Sequence, residues 1–422
     1  MLKYRKYKLK NGTRVIIAPV KETRVVNIKI YAAVGSRYES FKNNGITHLI
    51  EHMFFKGTDK RPEDIVISRE AENMGAVLNG STSHHFCCLY ASSLDEYFEN
   101  CLEMLADMLH NSKFRQKNIA TERGSIIEEI KMHNDNPQHR VTEMYNKLLY
   151  GGNPLAFPIA GDERTLREMK SEDLHGFVKK YFSARNIIIS VAGRVKTDRA
   201  KKLIRTYFGK SAAGAENKYK PLCEAQKKQA IFVEQKNTQQ ANICIGVRSY
   251  NYDHPDYYAL SLLSIILGGS DSSRLYTALR AKRGLVYFVN ASNVSYKDTG
   301  NLLVQAGCAH EKALEVIGMI LAELRILREK NVARDELKRV KNAIRSSMYM
   351  MLDSSEGIAE YLINEELTRG TIMTPEEKLA IVNKVTADDI RRVAGDIFKN
   401  SKLNIAMIGQ MTEKKLKSSF KL

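Results

Sequence analysis

The sequence predicts an α+β protein built from two homologous domains, each a largely antiparallel sheet packed with helices. Three observations carry this. The chain has 422 residues, too many for one hydrophobic core and comfortable for two. Runs with β alternation are interleaved with amphipathic helical stretches in both halves. The two halves also match each other at a nearly fixed offset. Asp389, Phe398 and Gly409 lie 216 residues after Asp173, Phe182 and Gly193, and Asn242-Ile243-Cys244-Ile245 follows Asn27-Ile28-Lys29-Ile30 by 215. Two matched ends with almost one spacing argue for a duplicated domain. Between them, the small, polar, aperiodic stretch from Gly209 to Lys218 reads as a linker. The expected division is therefore 1–210, a linker over 211–228, and 229–422.

Taken in order, Arg14 to Ala18 and Val25 to Tyr31 are β-rich runs separated by turn residues. A helix follows around His48, with Gly57 where it stops. Pro62-Glu63-Asp64 opens a second helix, running to Met74-Gly75, with proline in the first turn and acids near the positive end of its dipole. Phe86 to Ala91 is extended. Ser93-Leu94-Asp95-Glu96 has the spacing of a capping box in front of a long apolar-striped helix through Leu109. A further helix, from about Asn118 to Met132, ends before Asn134-Asp135-Asn136-Pro137. The helices ending at Tyr181 and Ile397, and the strands Ile187 to Gly193 and Leu403 to Gly409, close the two halves. The run Met348-Tyr349-Met350-Met351 reads as helix core.

Bulk properties exclude several classes. With 43% hydrophobic and 27% charged residues, each domain can bury a sizeable core without disulfides or a structural metal. No segment approaches the ~20 apolar residues of a membrane-spanning helix. The basic N-terminus is not followed by an apolar run of signal-peptide length. The six cysteines form no CxxC pair and read as reduced thiols. A cytoplasmic protein without membrane association is the expectation. The net charge of +18 invites a nucleic-acid reading, but the cations are spread along the chain with no aromatic–basic signature. A solvated basic surface and no nucleic-acid partner are expected.

The chemistry concentrates in His48-Leu49-Ile50-Glu51-His52. Residues four apart on a helix project from one face, so the two imidazoles can share one zinc, with donors about 2 Å from it. Glu51 lies on nearly the same face, close enough to take a proton from a metal-polarised water. The order His-x-x-Glu-His inverts the commoner zinc motif and is itself a metallopeptidase pattern. A catalytic zinc takes three protein ligands, and the helix around Glu122-Arg123-Gly124-Ser125-Ile126-Ile127-Glu128-Glu129 is the best source of the third. Glu122 and Glu129 share a face with Ile126, while Glu128 points roughly 100° away from Glu129. Carboxylates on an otherwise apolar face are costly to bury unless a cation awaits them. At the repeat offset, the second copy of the motif falls near Leu263 to Leu267, which cannot bind zinc. His84 and His85, adjacent on an extended segment, point to opposite faces and are expected not to be ligands.

These residues resemble the M16 (pitrilysin or insulinase) metallopeptidase family, in particular the single-chain subgroup that includes the mitochondrial processing peptidase subunits and their bacterial relatives. The resemblance covers nearly the whole chain. It implies a third zinc ligand 77 positions after the second histidine, which is Glu129 here. It implies a supporting glutamate in a Glu-Arg pair, here Glu122-Arg123. Gly75 to Ser83 is similar to the family's edge strand beside the metal, implying that Asn79, Gly80 and Ser81 bind substrate as an added strand. Arg280 to Tyr287 resembles the element from which Arg280 and Tyr287 would bind the substrate backbone and steady the oxyanion. The resemblance further implies half of a clamshell and one zinc per chain. A homodimer, or a heterodimer with a related chain, would close around short or unfolded peptides. The rival expectation is a non-catalytic scaffold subunit, though such chains lose part of the motif and this one keeps every element.

Overall fold

Antiparallel pairing brings the matched ends of each repeat together, and it does so the same way twice. The computed structural model describes residues 2–417, which form two units. The first comprises residues up to Lys131, Phe157–Lys220 and Met348–Thr374; the second comprises Met132–Ala156, Pro221–Ser347 and the residues from Pro375 onward.

In the first unit, strands β1 (Arg5–Lys8), β2 (Arg14–Pro19), β3 (Val25–Ala32), β4 (Val77–Thr82), β5 (Cys87–Leu94) and β6 (Ile187–Gly193) form one sheet in the order β1-β2-β6-β3-β5-β4. Only the β2–β6 pair is parallel. The second unit repeats the plan with β7 (Ala230–Gln235), β8 (Ala241–Ser249), β9 (Val286–Ser295), β10 (Gly300–Cys308) and β11 (Leu403–Gly409), in the order β7-β11-β8-β10-β9. Again one pair, β7–β11, is parallel. Strand for strand, β2, β6, β3, β5 and β4 correspond to β7, β11, β8, β10 and β9. The duplication and the α+β class are thus visible in the pairing itself.

The central strands β6 and β11 are buried along their whole length, so both faces of each sheet are covered. One face of the first sheet carries α1 (Ile46–Phe54), α2 (Asp64–Asn73), α3 (Phe98–Asn111) and α4 (Gln116–Asp135) over a core that includes Ile28, Ile30, Leu49, Leu105 and Ile126. The other face is covered by a helix from the far end of the chain, Ser355–Arg369, whose Ile358, Leu362 and Ile363 pack on Ile16, Tyr31 and Ile188. Polar contacts fix the same helix: Lys29 Nζ to Glu360 at 2.6 Å, Asn27 Nδ2 to Ser355 Oγ at 2.6 Å, and Lys6 and Arg14 to the buried Glu366. The second unit is built reciprocally. Helix α5 (Pro137–Tyr150) covers one face of its sheet, with Val141, Met144 and Tyr145 against Cys244, Leu303 and Ala406. Shifting α5 by the repeat offset lands on Ser355–Arg369, so the two copies have exchanged the same element.

This exchange is where the sequence reading needs correcting, because simple halves at 1–210 and 229–422 are not the compact units. The expected linker is also partly anchored: Ala212 O and Ala213 O accept from Ala184 N and Arg185 N at 2.9 and 3.1 Å, and Asn217 Nδ2 donates to Tyr181 O at 2.8 Å. Two local expectations fail as well. Ser93 does not cap a helix; it pairs with Val26 inside β5, and a short 3₁₀ turn intervenes before α3. Tyr349, Met350 and Met351 are exposed at the end of the helix Arg334–Met351 rather than in its core.

The break between α4 and α5 follows its sequence. Pro137 occupies the first turn of α5, and Asn136 Oδ1 accepts from Gln138 N and His139 N at 3.0 and 3.4 Å. Such a side-chain cap satisfies amides the helix leaves unpaired. No described helix is long and apolar enough to cross a membrane.

Candidate metal centre

Helix α1 has two faces. Ile46, Leu49, Ile50, Met53 and Phe54 are buried at the 3-and-4 spacing of a core stripe. His48, Glu51 and His52 occupy the remaining arc. Helix α4 buries Ile119, Glu122 and Ile126 on one stripe, and Glu129 extends it one turn further. Glu128 points away and pairs with Lys131 at 2.7 Å on the surface.

Packing α1 beside α4 brings His48, His52 and Glu129 together, their ligand atoms all within 4.8 Å of one another. His48 Nε2 and His52 Nε2 lie 3.8 and 4.0 Å from Glu129 Oε2. Donors about 2.0–2.1 Å from a tetrahedral zinc are about 3.3–3.4 Å apart, so a contraction of roughly half an ångström brings each histidine to that separation from Glu129. Two imidazoles and one carboxylate are also a donor set that zinc favours. Residues and geometry fit the ion.

The supporting contacts are specific. His52 Nδ1 lies 3.1 Å from Glu122 Oε2, and Lys56 Nζ donates to Glu122 Oε1 at 2.9 Å. A carboxylate on Nδ1 fixes the tautomer that leaves Nε2 free to ligate. Burial pulls the His52 pKa down, but the hydrogen bond to Glu122 and the charges of Glu51, Glu122 and Glu129 reverse this, and the net shift is upward. For Glu122, burial pushes up and is outweighed by His52 and Lys56, which hold it below the usual carboxylate range. Glu51 is raised, by burial above all, although the Thr82 hydrogen bond and the His52 charge pull the other way.

Strand β4 is an edge strand of the first sheet, next to α1. Its alternation puts Leu78, Gly80 and Thr82 inward and Val77, Asn79 and Ser81 outward. Thr82 Oγ1 donates to Glu51 Oε2 at 2.6 Å. A Cβ on Gly80 would stand 3.0 Å from Glu51 Cγ and Oε1 and 3.2 Å from Phe55 Cε2. Glycine is therefore the residue that admits the Glu51 side chain. Asn79 Oδ1 accepts from Gly80 N at 2.8 Å, covering an edge amide that a paired strand would use.

Comparison with known proteins decides the family. Residues 14–163 match the description "Insulinase (Peptidase family M16)" and residues 168–344 match "Peptidase M16 inactive domain". The Bacillus subtilis protein called uncharacterized zinc protease YmxG is 32% identical over 396 residues, covering 93% of this chain and 94% of that protein. The chain belongs to the M16 peptidase family. A probable mitochondrial-processing peptidase subunit beta of Schizosaccharomyces pombe is 29% identical over 420 residues, covering 96% of this chain and 90% of that one. The crystal structure of a protease from Helicobacter pylori shares the fold, with a TM-score of 0.91 at 23% identity over 97% of this chain and 100% of that one.

Within the M16 frame, the structure gathers His48, Glu51, His52, Asn79, Gly80, Ser81, Glu122 and Glu129 in the first unit. Arg280 and Tyr287 belong to the second. There Arg280 closes the irregular helix Tyr276–Ala281 and donates to Val286 O at 2.9 Å, while Tyr287 stands exposed at the start of β9. His84 is partly buried, 2.7 Å from Ser36 Oγ, its pKa pulled down to about 4 by desolvation and then by Arg37. Sequence reasoning passed over two members of the site. Thr82 was discoverable from its strand parity with Gly80, and Lys56 from its place one turn after His52.

Proposed function

We propose that this M16 chain is a zinc-dependent endopeptidase with one zinc held by His48, His52 and Glu129. The observation that carries the reading is the convergence of those three side chains from α1 and α4, with Glu51 on the same helix held to the β4 edge strand by Thr82; among the described residues no other such ligand group occurs. The names of the curated relatives, several of them zinc proteases, support the metal.

Bound zinc supplies Lewis-acid polarisation of a water and of the scissile carbonyl. The chain's own residues do the rest. Glu51 accepts the proton from the attacking water, with Thr82 holding the carboxylate in place. The water oxygen bonds to the carbonyl carbon, the C–N bond breaks, and Glu51 returns the proton to the leaving amine. Glu122 keeps the His52 ring oriented. The β4 edge takes an extended peptide as an additional strand, with Asn79 releasing the Gly80 amide to it, so affinity comes from main-chain pairing. On the strength of the family resemblance, Arg280 and Tyr287 contact the substrate backbone and oxyanion. The same resemblance suggests a homodimer, or a pairing with a related chain, enclosing short or unfolded peptides. Unpaired cysteines, five of the six buried, fit a reducing cytoplasm.

The test is Glu51→Gln. Zinc stoichiometry and fold are expected to remain while hydrolysis of a quenched peptide library falls by at least about 10²-fold. Wild-type turnover in that variant removes Glu51 as the base; wild-type protein that binds zinc but cleaves nothing supports the scaffold alternative.

A further inference from the structure

Helix α1 carries three of the site's residues on only nine positions, and a helix that short depends on its ends. Its first-turn amides need acceptors from outside the helix. The residue at the cap position, Gly45, has no side chain to offer and adopts φ 94°. The acceptor comes from six residues earlier. Glu39, only 5% exposed, takes the Gly45 amide on Oε2 at 2.8 Å and the Thr47 amide on Oε1 at 2.9 Å. Oε2 also accepts from Asn44 Nδ2 at 2.9 Å. Thr47 immediately precedes His48.

The turn that presents this carboxylate is clamped from its other side. Asn44 Nδ2 reaches Pro158 O at 3.0 Å, and Asn44 O accepts from Thr165 Oγ1 at 2.7 Å. Gly45 and Gly161 approach so closely that a Cβ on Gly45 would stand 2.7 Å from Ala160 O.

We propose that Glu39 is a positioning residue that caps the metal-binding helix from outside and fixes where His48, Glu51 and His52 stand relative to Glu129. The inference rests on the zinc reading for its functional consequence, but its structural core does not. A negative group at a helix N-terminus also opposes the positive end of the dipole. Glutamine cannot substitute: it offers one acceptor oxygen, and its amide hydrogens would face a backbone N–H. One first-turn amide would be left buried without a partner, and α1 would settle in a different place from α4, which bears Glu129.

Two readouts on Glu39→Gln test this. In metal-free protein, hydrogen exchange at Gly45 to Leu49 is expected to accelerate about tenfold or more, while amides of α4 keep their protection. In a chelator competition, zinc affinity is expected to fall about 10–100-fold, the range for outer contacts of a metal site. Leu362→Ala, a cavity on the opposite face of the same sheet, serves as the control for general loss of stability and is expected to leave zinc affinity within about twofold of wild type. Glu39→Asp, one methylene shorter with the charge kept, gives the same readouts with smaller losses if Glu39→Gln does not fold. Unchanged exchange in α1 overturns the cap, unchanged zinc affinity overturns the positioning role, and an equal affinity loss in Leu362→Ala reduces the effect to stability. If wild-type protein binds no zinc, the metal reading fails, and hydrogen exchange alone decides whether Glu39 caps the helix.

Discussion

Gly80→Ala isolates how closely the edge strand and Glu51, the proposed general base, are fitted. The new methyl would sit 3.0 Å from Glu51 Cγ and Oε1 and 3.2 Å from Phe55 Cε2, whereas carbon contacts are comfortable at about 3.5–4.0 Å. Glu51 must retreat by roughly half an ångström, against a 2.6 Å hydrogen bond from Thr82 that ties it to the same strand. A displacement of about 1 Å in a reacting group costs about 10²-fold, so half of that predicts a loss near tenfold, or about 1.4 kcal/mol of barrier. Gly80 has no positive φ, so the backbone accepts alanine without strain and the chain should keep its stability. The assay is kcat on a quenched peptide, with zinc content and thermal midpoint measured on the same samples. Val77→Ala, exposed on the outward side of β4, is the matched control with near-wild-type kcat. A Gly80→Ala enzyme with kcat within twofold of wild type would refute the fitted-base argument, and so would one that loses zinc.

Two further outcomes follow from the packing of the first unit. Arg61 is buried and bridges Glu70 and Glu103 at 2.6 Å and Asp107 at 2.7 Å, tying the segment after α1 to α2 and α3. Arg61→Leu strips Glu70 and Asp107 of that cation, while Glu103 keeps Lys60 at 3.0 Å, and is expected to cost roughly 3 kcal/mol in urea unfolding, the low end for a broken buried pair because Glu70 is partly exposed. Arg61 holds the Glu70 pKa down, and for Asp107 the push of burial is outweighed by bonds from Thr58, Asn111 and Arg61. Folded values below the unfolded ones mean stability that is present above about pH 4 and lost as pH falls through the depressed range. That acid sensitivity should flatten in Arg61→Leu, and an unchanged slope between pH 5 and 2 (values chosen about the carboxylate range) would contradict the assignment. A fragment ending at residue 210 lacks Ile358, Leu362 and Ile363, which bury the outer face of the first sheet and are worth roughly 1.5–3 kcal/mol each. It is expected to bind a hydrophobic dye and melt without cooperativity unless a peptide of residues 348–374 is supplied; a cooperative melt of the fragment alone would show that the exchanged helix is dispensable.

The metal helix was legible because two patterns agree over nine residues: an apolar stripe from Ile46 to Phe54 and a polar group at spacing three and four. The choice of Glu129 over Glu128 was legible from a single angular step, with the apolar stripe through Ile119 and Ile126 marking which side of α4 is inward. The repeat could be read because strands β3, β6, β8 and β11 kept their matched residues. The exchange of α5 and Ser355–Arg369 could not, since a helix buried over a wide arc, from Ser355 through Glu366, does not say which sheet it covers. Ser93 illustrates tertiary override: a good capping residue was taken by cross-strand pairing with Val26. Glu39 left no local signal at all, because a cap six residues from its helix depends on the turn between them.

The second copy shows that the metal site is an addition to this fold and not a consequence of it. The helix Tyr257–Gly268 occupies the place of α1 but is buried nearly all round, and at the offset of 215 that Asn27 and Asn242 keep, His48, Glu51 and His52 become Leu263, Ile266 and Leu267. The helix Arg334–Met351 takes the place of α4 and buries Leu337 and Val340, with no carboxylate among its buried residues. The copy thus lacks both imidazoles and buries apolar side chains where α4 buries Glu122. The sheets, the parallel pair and even the exchanged helix persist without any of this chemistry, so none of them requires the metal. The proposed chemistry of this chain resides in five side chains on two helices, and the edge strand beside them bounds what those side chains can reach.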